Sequence, residues 1–397
     1  MKPAVLREGF TTGTAAAGAA LAALTLLREG HAPTSVSVPL PPFLPPEKCR
    51  APLFAGRCCA GFATLPVESC ARLLFESGEK PPGALQTARA AVRKDGGDDP
   101  DVTSGALITA DVTLHHDTSR QYITPEDDHF IHIAGGPGVG RVTLPGLPVP
   151  PGEAAINPTP REQLRFALGL HAAQTTRRRG PCPPLTVIVS VPQGEELARH
   201  TLNLRLGIVG GISILGTQGT VRPFSNSAWQ VAITHGLAVA HASGCDALCF
   251  STGRRSEKLL MAAYPDLTPQ AFIQAADFVE FSLKSAGAMP FKKIIWGCFF
   301  GKLLKLSQGI SYTHACEGKP GLNELVRLCS YAGADCAGAV DHCTTAAQAL
   351  ELLLTDAAGS QVIARVMSLA AEKAERFAGR PVRLHLFHTD GRALCAA

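Results

Sequence analysis

The stretch that most limits what this chain can fold into runs from Leu206 to Ser227, LGIVGGISILGTQGTVRPFSNS. Apolar Ile212, Ile214 and Leu215 lead into Gly216-Thr217-Gln218-Gly219, and Ser225, Asn226 and Ser227 then offer cap chemistry to a helix starting near Ala228. That is strand, glycine loop and helix start, the junction of a sheet with a helix packed on it. Such a loop leaves backbone N–H groups beside the positive end of a helix dipole, where phosphate, a carboxylate or a ribose-bearing cofactor is held without a side chain. Gly210, Gly211, Gly216, Thr217 and Gly219 are therefore candidate cofactor contacts, and a Cβ at Gly216 or Gly219 is expected to crowd the cofactor's approach. The bland alternative is a tight turn with no ligand.

Two familiar loops can be set aside. Gly211 to Gly216 has the spacing of a phosphate-binding P-loop, but Thr217 and Gln218 stand where Lys and Ser/Thr should follow, so the residue that neutralises a triphosphate is missing. GxGxxG is absent as well, and a phosphoryl enzyme would need magnesium ligands the stretch lacks. Charged residues make up 18% of the chain and the net charge is +4, which gives no global case for a nucleic-acid or anionic-membrane partner. The N-terminal segment reads as an alanine-rich helix and not as an export signal, and no apolar run reaches the length of a membrane span; the expected location is the cytoplasm. The 13 cysteines contain no CxxC pair, so they read as reduced core residues and not as zinc ligands or disulfides. His115, His116, His129 and His132 lie on two strand-like runs without a tight ligand motif, so no protein-bound metal is expected.

At 397 residues and 46% hydrophobic content the chain can fill two domain cores. Near its start, Gly9-Phe10-Thr11-Thr12-Gly13-Thr14 precedes AAAGAALAALTLLREG, a helix capped by Thr12 or Thr14 and ended by Gly30; the cap alone explains the threonines, while a polar close-approach loop there also suits an anion. Strand patterns then dominate from Thr34 to Leu147, with the glycine run 135–140 joining two strands as a hairpin. A helix over 160–173, the loop QTTRRRGPCPP and a strand over 185–191 close a first domain, residues 1–192. The remainder, 193–397, alternates strands (212–215, 247–251, 278–281, 293–296) with helices, among them helices through Tyr264 and Ala275, and ends in helices and a strand over 382–387. That is the order of a parallel sheet, whose ligands sit beyond the carboxyl ends of the strands: the Gly216 loop, residues 251–257, Glu280 and residues 297–301.

Several motifs in one order go beyond such patterning. Gly9 to Thr14, Gly136 to Val142 with Pro145-Gly146, Ala155-Ile156-Asn157-Pro158, VSVPQGEE (189–196), Asn203 to Ile208 and GGISILGTQG (210–219) together resemble the cobalt-precorrin-5B C1-methyltransferases of anaerobic cobalamin synthesis, from residue 6 to about 335. The resemblance implies an α+β domain similar to a permuted ribosomal S5 domain 2, then a three-layer Rossmann-like α/β domain with extra C-terminal helices. It also implies S-adenosylmethionine as methyl donor, a corrinoid substrate, and other cobalamin-pathway enzymes as partners. Beside it, Glu257 and Glu280 are candidate partners for ribose hydroxyls or the cationic donor, and Thr11, Thr12, Thr14, Arg205, Arg254, Arg255 and Lys302 are candidates for the substrate, whose acetate and propionate groups suit Arg and Lys. His314, singled out by the resemblance, is the candidate catalytic residue, able to move a proton. The chain departs from the family at Ala15, at Tyr312 and Ala315, and at STGR (251–254), which keeps a catalytically retired corrinoid-binding scaffold as the alternative.

Overall fold

The computed structural model describes residues 6–49, 53–75, 83–115, 130–314 and 321–396; His116, His129 and Ala315 lie outside them. The chain forms two compact units, Met1–Ser225 and Asn226–Ala397. The division thus falls after Ser225 and not at Pro192, because the short strands of 193–225 pair with strands of the first unit.

The first unit runs β1 (Gly9–Phe10), α1 (Thr12–Glu29), β2 (Ser35–Leu40), β3 (Gly61–Pro66), β4 (Ser69–Leu73), β5 (Ala84–Arg93), β6 (Leu107–His115), β7 (Ile131–Gly135), β8 (Gly138–Val139), β9 (Arg141–Val142), α2 (Pro158–Arg179), β10 (Leu185–Ser190), α3 (Gly194–Ala198), β11 (Ile208–Val209), β12 (Gly211–Ile212) and β13 (Thr220–Val221). Its main sheet has the order β4-β5-β6-β10-β7, antiparallel except for the β10–β7 pair. One face packs on α1, which α2 covers in turn, through Ala88, Ala90, Val92, Ile108, Ala110, Val112 and Val187, while the other carries Thr87, Arg89, Asp111 and Thr113; this alternation is that of a sheet covered on one side, an α+β arrangement. Every residue of α1 from Thr12 to Arg28 is buried, which small side chains allow because backbones can approach on all sides. Its N-cap is Thr11, not Thr12 or Thr14, and Gly30 ends it with φ +84°, its N–H donating to Leu26 O. Helix α2 continues past Ala173 through Arg177, Arg178 and Arg179, cations that suit a helix C-terminus.

The glycine run 135–140 does not form a hairpin. Strand β7 pairs with β10, β8 with β12, and β9 with β11. The run is instead a close-packed crossing: a Cβ on Gly138 would meet Val191 O at 1.8 Å, and one on Gly211 would meet Gly138 O at 2.2 Å.

The second unit runs α4 (Asn226–Ala242), β14 (Ala247–Ser251), α5 (Arg254–Ala263), β15 (Phe272–Gln274), α6 (Val279–Gly287), β16 (Lys293–Phe299), α7 (Phe300–Ser307), α8 (Leu322–Ala332), α9 (Ala337–Asp341), α10 (Ala346–Thr355), α11 (Gly359–Ala378), β17 (Arg383–Phe387) and β18 (Ala393–Ala396). The sheet order is β15-β14-β16-β17-β18, parallel except for β18. Right-handed crossovers then put helices on opposite faces as the chain reverses direction across the sheet. Accordingly Leu260 of α5 packs with Cys249, Phe272, Ile295 and Phe387 on one face, and α6, α7 and α11 pack with Leu248, Phe250, Ile294, Trp296 and Leu384 on the other. Two expectations change here. The helix expected through Ala275 is strand β15, and the strand expected over 278–281 is the start of α6. Among the described residues no helix is long and apolar enough to cross a membrane.

Candidate functional site

In the first unit the two glycine-bearing motifs of the sequence meet. The Thr11 N–H donates to Gly219 O (3.0 Å) and the Gly13 N–H to Leu215 O (3.1 Å). The Thr14 hydroxyl donates to Gly219 O (2.7 Å), and Thr12 Oγ1 donates to Leu215 O (3.2 Å) while accepting the Leu215 N–H (2.9 Å). Gln163 ties the assembly to α2 and β2, its amide donating to Thr14 Oγ1 (3.1 Å) and Pro39 O (2.9 Å). The Gly13 N–H is thus engaged by the loop and the Thr14 and Ala15 N–H groups by Thr11, and the buried Thr11, Thr12 and Thr14 hold the loop in place.

The glycines answer to the same packing. A Cβ on Gly216 would lie 2.4 Å from Thr11 Cβ and Oγ1, and one on Gly219 would lie 2.7 Å from Leu40 Cδ2, so the expected crowding is against the protein's own α1 and β2. After the loop the chain enters β13, which pairs with β1, and only then reaches α4. The loop is therefore no direct strand-to-helix junction. Thr217 stands exposed at its tip, Gly210 faces open space, and Arg205 is half-buried in the turn before β11.

In the second unit the spatial order 2-1-3-4-5 reverses between β14 and β16, and the crevice beyond the carboxyl ends of those strands is where open α/β sheets take ligands. Strand alternation places Ser251, Gln274 and Phe299 on the face that carries α5. Ser251 has 0% exposure, and its hydroxyl has no hydrogen-bond partner. Beside it in register, Gln274 donates its amide to Glu257 Oε2 (2.7 Å), a buried carboxylate in the first turns of α5. The turn between is fixed by Ser256, whose Oγ donates to Gly253 O (3.0 Å) and accepts the Thr252 N–H (3.2 Å), and a Cβ at Gly253 would meet nothing. Arg254 and Arg255 open α5 on the exposed side; the Arg255 guanidinium stands 5.4 Å over the Phe299 ring and donates to Thr389 O.

The other side of the same edge carries a strap, residues 311–314. Lys302 pairs with Asp277 and donates to Thr313 O (2.8 Å), so it is not an open cation for substrate carboxylates. Lys305 donates to His314 O (2.6 Å) and Thr313 O (3.3 Å), and the Thr313 N–H donates to Asp277 O (3.0 Å). His314 is exposed, its ring stacked 5.9 Å from Tyr312, which in turn packs 4.9 Å from Phe278. Glu280 sits half-buried in the first turn of α6, its N–H donating to Ser311 O (3.2 Å). Sequence reasoning missed Gln274, Asp277 and Lys305; reading 272–274 as a strand would have exposed the first two as residues at its carboxyl end.

Among the described residues no group of three or more His, Cys, Asp or Glu could hold a metal ion, and His115 bonds to Thr186 Oγ1 (2.8 Å). The described cysteines are free thiols, and burial pushes Cys249 and Cys298 up to about 12. Ala15 lies fully buried inside α1, in the core of the first unit.

A relative from Nitratidesulfovibrio vulgaris named cobalt-precorrin-5B C(1)-methyltransferase is 47% identical over 99% of this chain and 93% of its own, and one of the same name from Geobacillus kaustophilus is 43% identical over 88% and 82%. The crystal structure of the cobalamin biosynthesis protein CbiD from Archaeoglobus fulgidus is 26% identical, covering 75% of this chain and 78% of its own with a TM-score of 0.35. The CbiD family model matches residues 1–49 and 64–223, and with this match and these relatives the chain belongs to the CbiD family.

Proposed function

We propose that this chain is an S-adenosylmethionine-dependent C-methyltransferase that methylates C-1 of cobalt-precorrin-5B, giving cobalt-precorrin-6A in anaerobic cobalamin biosynthesis. The observation that carries this reading is 47% identity spread over 99% of the chain with a relative bearing that reaction's name. The one-sided sheet of the first unit supports a permuted ribosomal S5 domain 2-like fold, and the parallel sheet of the second, covered on both faces, supports a three-layer Rossmann-like domain with C-terminal helices. The reading also places the protein in the cytoplasm beside other enzymes of its pathway.

The residues of the β14–β16 crevice suit the methyl donor: a buried hydroxyl without a partner at Ser251, a carboxylate at Glu257, and open space at Gly253. When bound, S-adenosylmethionine supplies a methyl group on a cationic sulfonium with a neutral thioether as leaving group. The chain's own work is then alignment and exclusion of water. Glu257, and Glu280 across the edge, hold the hydroxyls and complement the cation. Arg254 and Arg255 in the second unit, and separately Arg205 in the first, are the cations suited to the carboxylates of the corrinoid. Lys302 and Lys305 fix the strap that carries His314, the group we assign to moving a proton at an imidazole nitrogen. Thr11, Thr12 and Thr14 shape the glycine loop.

Given cobalt-precorrin-5B and methyl-labelled S-adenosylmethionine without oxygen, the protein is expected to add one methyl group at C-1 and release S-adenosylhomocysteine, with no ATP or nicotinamide. Mass spectrometry counts the methyl and carbon NMR places it. A methyl at another carbon would overturn the specificity, and no turnover despite binding of both ligands would favour the scaffold.

A further inference from the structure

We infer that Tyr312 is a positioning residue: its ring, stacked on the imidazole of His314, sets the orientation in which that imidazole takes up a proton. The inference rests on the role given to His314 above and goes beyond it by assigning the side chain that aims it. The strap is anchored through its middle. Thr313 has 2% exposure, its N–H donates to Asp277 O (3.0 Å), and its carbonyl accepts from Lys302 (2.8 Å) and Lys305 (3.3 Å). The residues on either side of it, Tyr312 and His314, bring their rings together, 5.9 Å between centroids and 13° from parallel.

The stack is built outward from the core. Phe278, at 5% exposure, packs on Tyr312 with the centroids 4.9 Å apart; Tyr312 is half-buried and His314 exposed. The Tyr312 hydroxyl donates to Asn226 Oδ1 (3.3 Å), the first residue of α4, so two elements other than the strap hold this ring. The Lys305 bond to the His314 carbonyl (2.6 Å) fixes where the imidazole starts, and the stack on Tyr312 restricts where it points. A carbon that gains a methyl group from a sulfonium loses one proton overall, and a base takes that proton only from within hydrogen-bond reach. An imidazole that changes rotamer spends part of its time out of line. An aromatic pair of this geometry is strong enough to shift a rotamer population by about two- to tenfold.

Two substitutions separate the ring from the hydroxyl. Tyr312→Leu keeps an apolar side chain on Phe278 and removes the ring, and Tyr312→Phe keeps the ring. Single-turnover methyl transfer to cobalt-precorrin-5B by the full chain should slow about two- to tenfold in Tyr312→Leu with KM for the corrinoid unchanged, and Tyr312→Phe should recover most of the loss. Proton NMR of histidine-labelled protein without ligand reads the stack itself. The His314 ring resonance, assigned by its absence in His314→Gln, should move in Tyr312→Leu and hold its place in Tyr312→Phe. No turnover by the wild-type chain overturns the methyltransferase reading, and full activity in His314→Gln overturns the role of His314; the positioning role falls with either. Slowed transfer in His314→Gln beside wild-type rates in Tyr312→Leu, a loss in Tyr312→Leu that appears in KM alone, or an unmoved His314 resonance overturns the role of Tyr312 by itself. If Tyr312→Leu does not fold, Tyr312→Met, flexible enough to cover Phe278, carries the same readouts.

Discussion

A Cβ placed on Gly216 would sit 2.4 Å from Thr11 Oγ1 with φ at +142°, whereas one on Gly210 would have φ at +79° and no heavy atom within 4 Å. Alanine at either position carries a backbone penalty of about 1 kcal/mol, but only Gly216→Ala adds overpacking, about 1–3 kcal/mol more. Gly216→Ala should therefore lower Tm by about 2–10 °C more than Gly210→Ala, and equal shifts would show that the loop does not lean on α1. A pH effect sits at His388, after β17. Hydrogen bonds to Asp390 and then Glu351 (2.6 Å) hold its imidazolium above the ordinary histidine value, and Asp390 is pulled down to about 2 by the Arg392 N–H, with further help from His388 and the Arg392 side chain. A raised folded value means that the pairing stabilises fully below the ordinary value, about 6.5, and that the contribution fades as pH rises through the folded one. The Tm difference between wild type and His388→Gln should be largest near about pH 6 and shrink on the alkaline side of neutral. A difference that grows with pH would reverse the assignment.

Helix α1 was legible because composition and caps agree: small residues throughout, threonine before it and glycine after it. Where local signals conflict, the expectation failed. Residues 278–281 form a short apolar run whose period cannot separate strand from helix, and β15 lies within AFIQAA, whose alanines and glutamine favour helix until the neighbouring β14 supplies a ladder. The glycine run misled for a different reason, since its partners β10, β11 and β12 are remote in sequence. Lys302 looked like an open cation because Asp277 stands on another element. For α1, burial on all sides predicts intolerance of volume: Ala20→Leu, at 0% exposure in the middle of the helix, should cost about 1–3 kcal/mol or more, while Ala262→Leu on the exposed side of α5 should stay within about 0.5 kcal/mol. Denaturant midpoints measure both, and a tolerated Ala20→Leu would mean that α1 is not the centre of its core.

At the scale of the whole molecule, each cluster of buried apolar residues draws on one unit alone, residues 15–214 in the first and 233–387 in the second. The second unit carries a sheet with both faces covered, so a fragment spanning 226–397 has what an independent domain needs. The candidate cofactor residues divide the same way, with Gly210, Gly211, Gly216, Thr217 and Gly219 in the first unit and Glu257 and Glu280 in the second. That division makes the location of the cofactor testable without any substitution in either site. If the β14–β16 crevice holds the nucleoside, the fragment 226–397 should fold and bind S-adenosylhomocysteine within about threefold of the full chain, and saturating ligand at 100 times Kd should stabilise it by about 2.7 kcal/mol. Circular dichroism reports the folding, and calorimetry and thermal melts report the binding. A folded fragment that gives no heat and no rise in Tm would send the cofactor back to the glycine loop, where Thr217 at the exposed tip and the open backbone at Gly210 would be the first contacts to test.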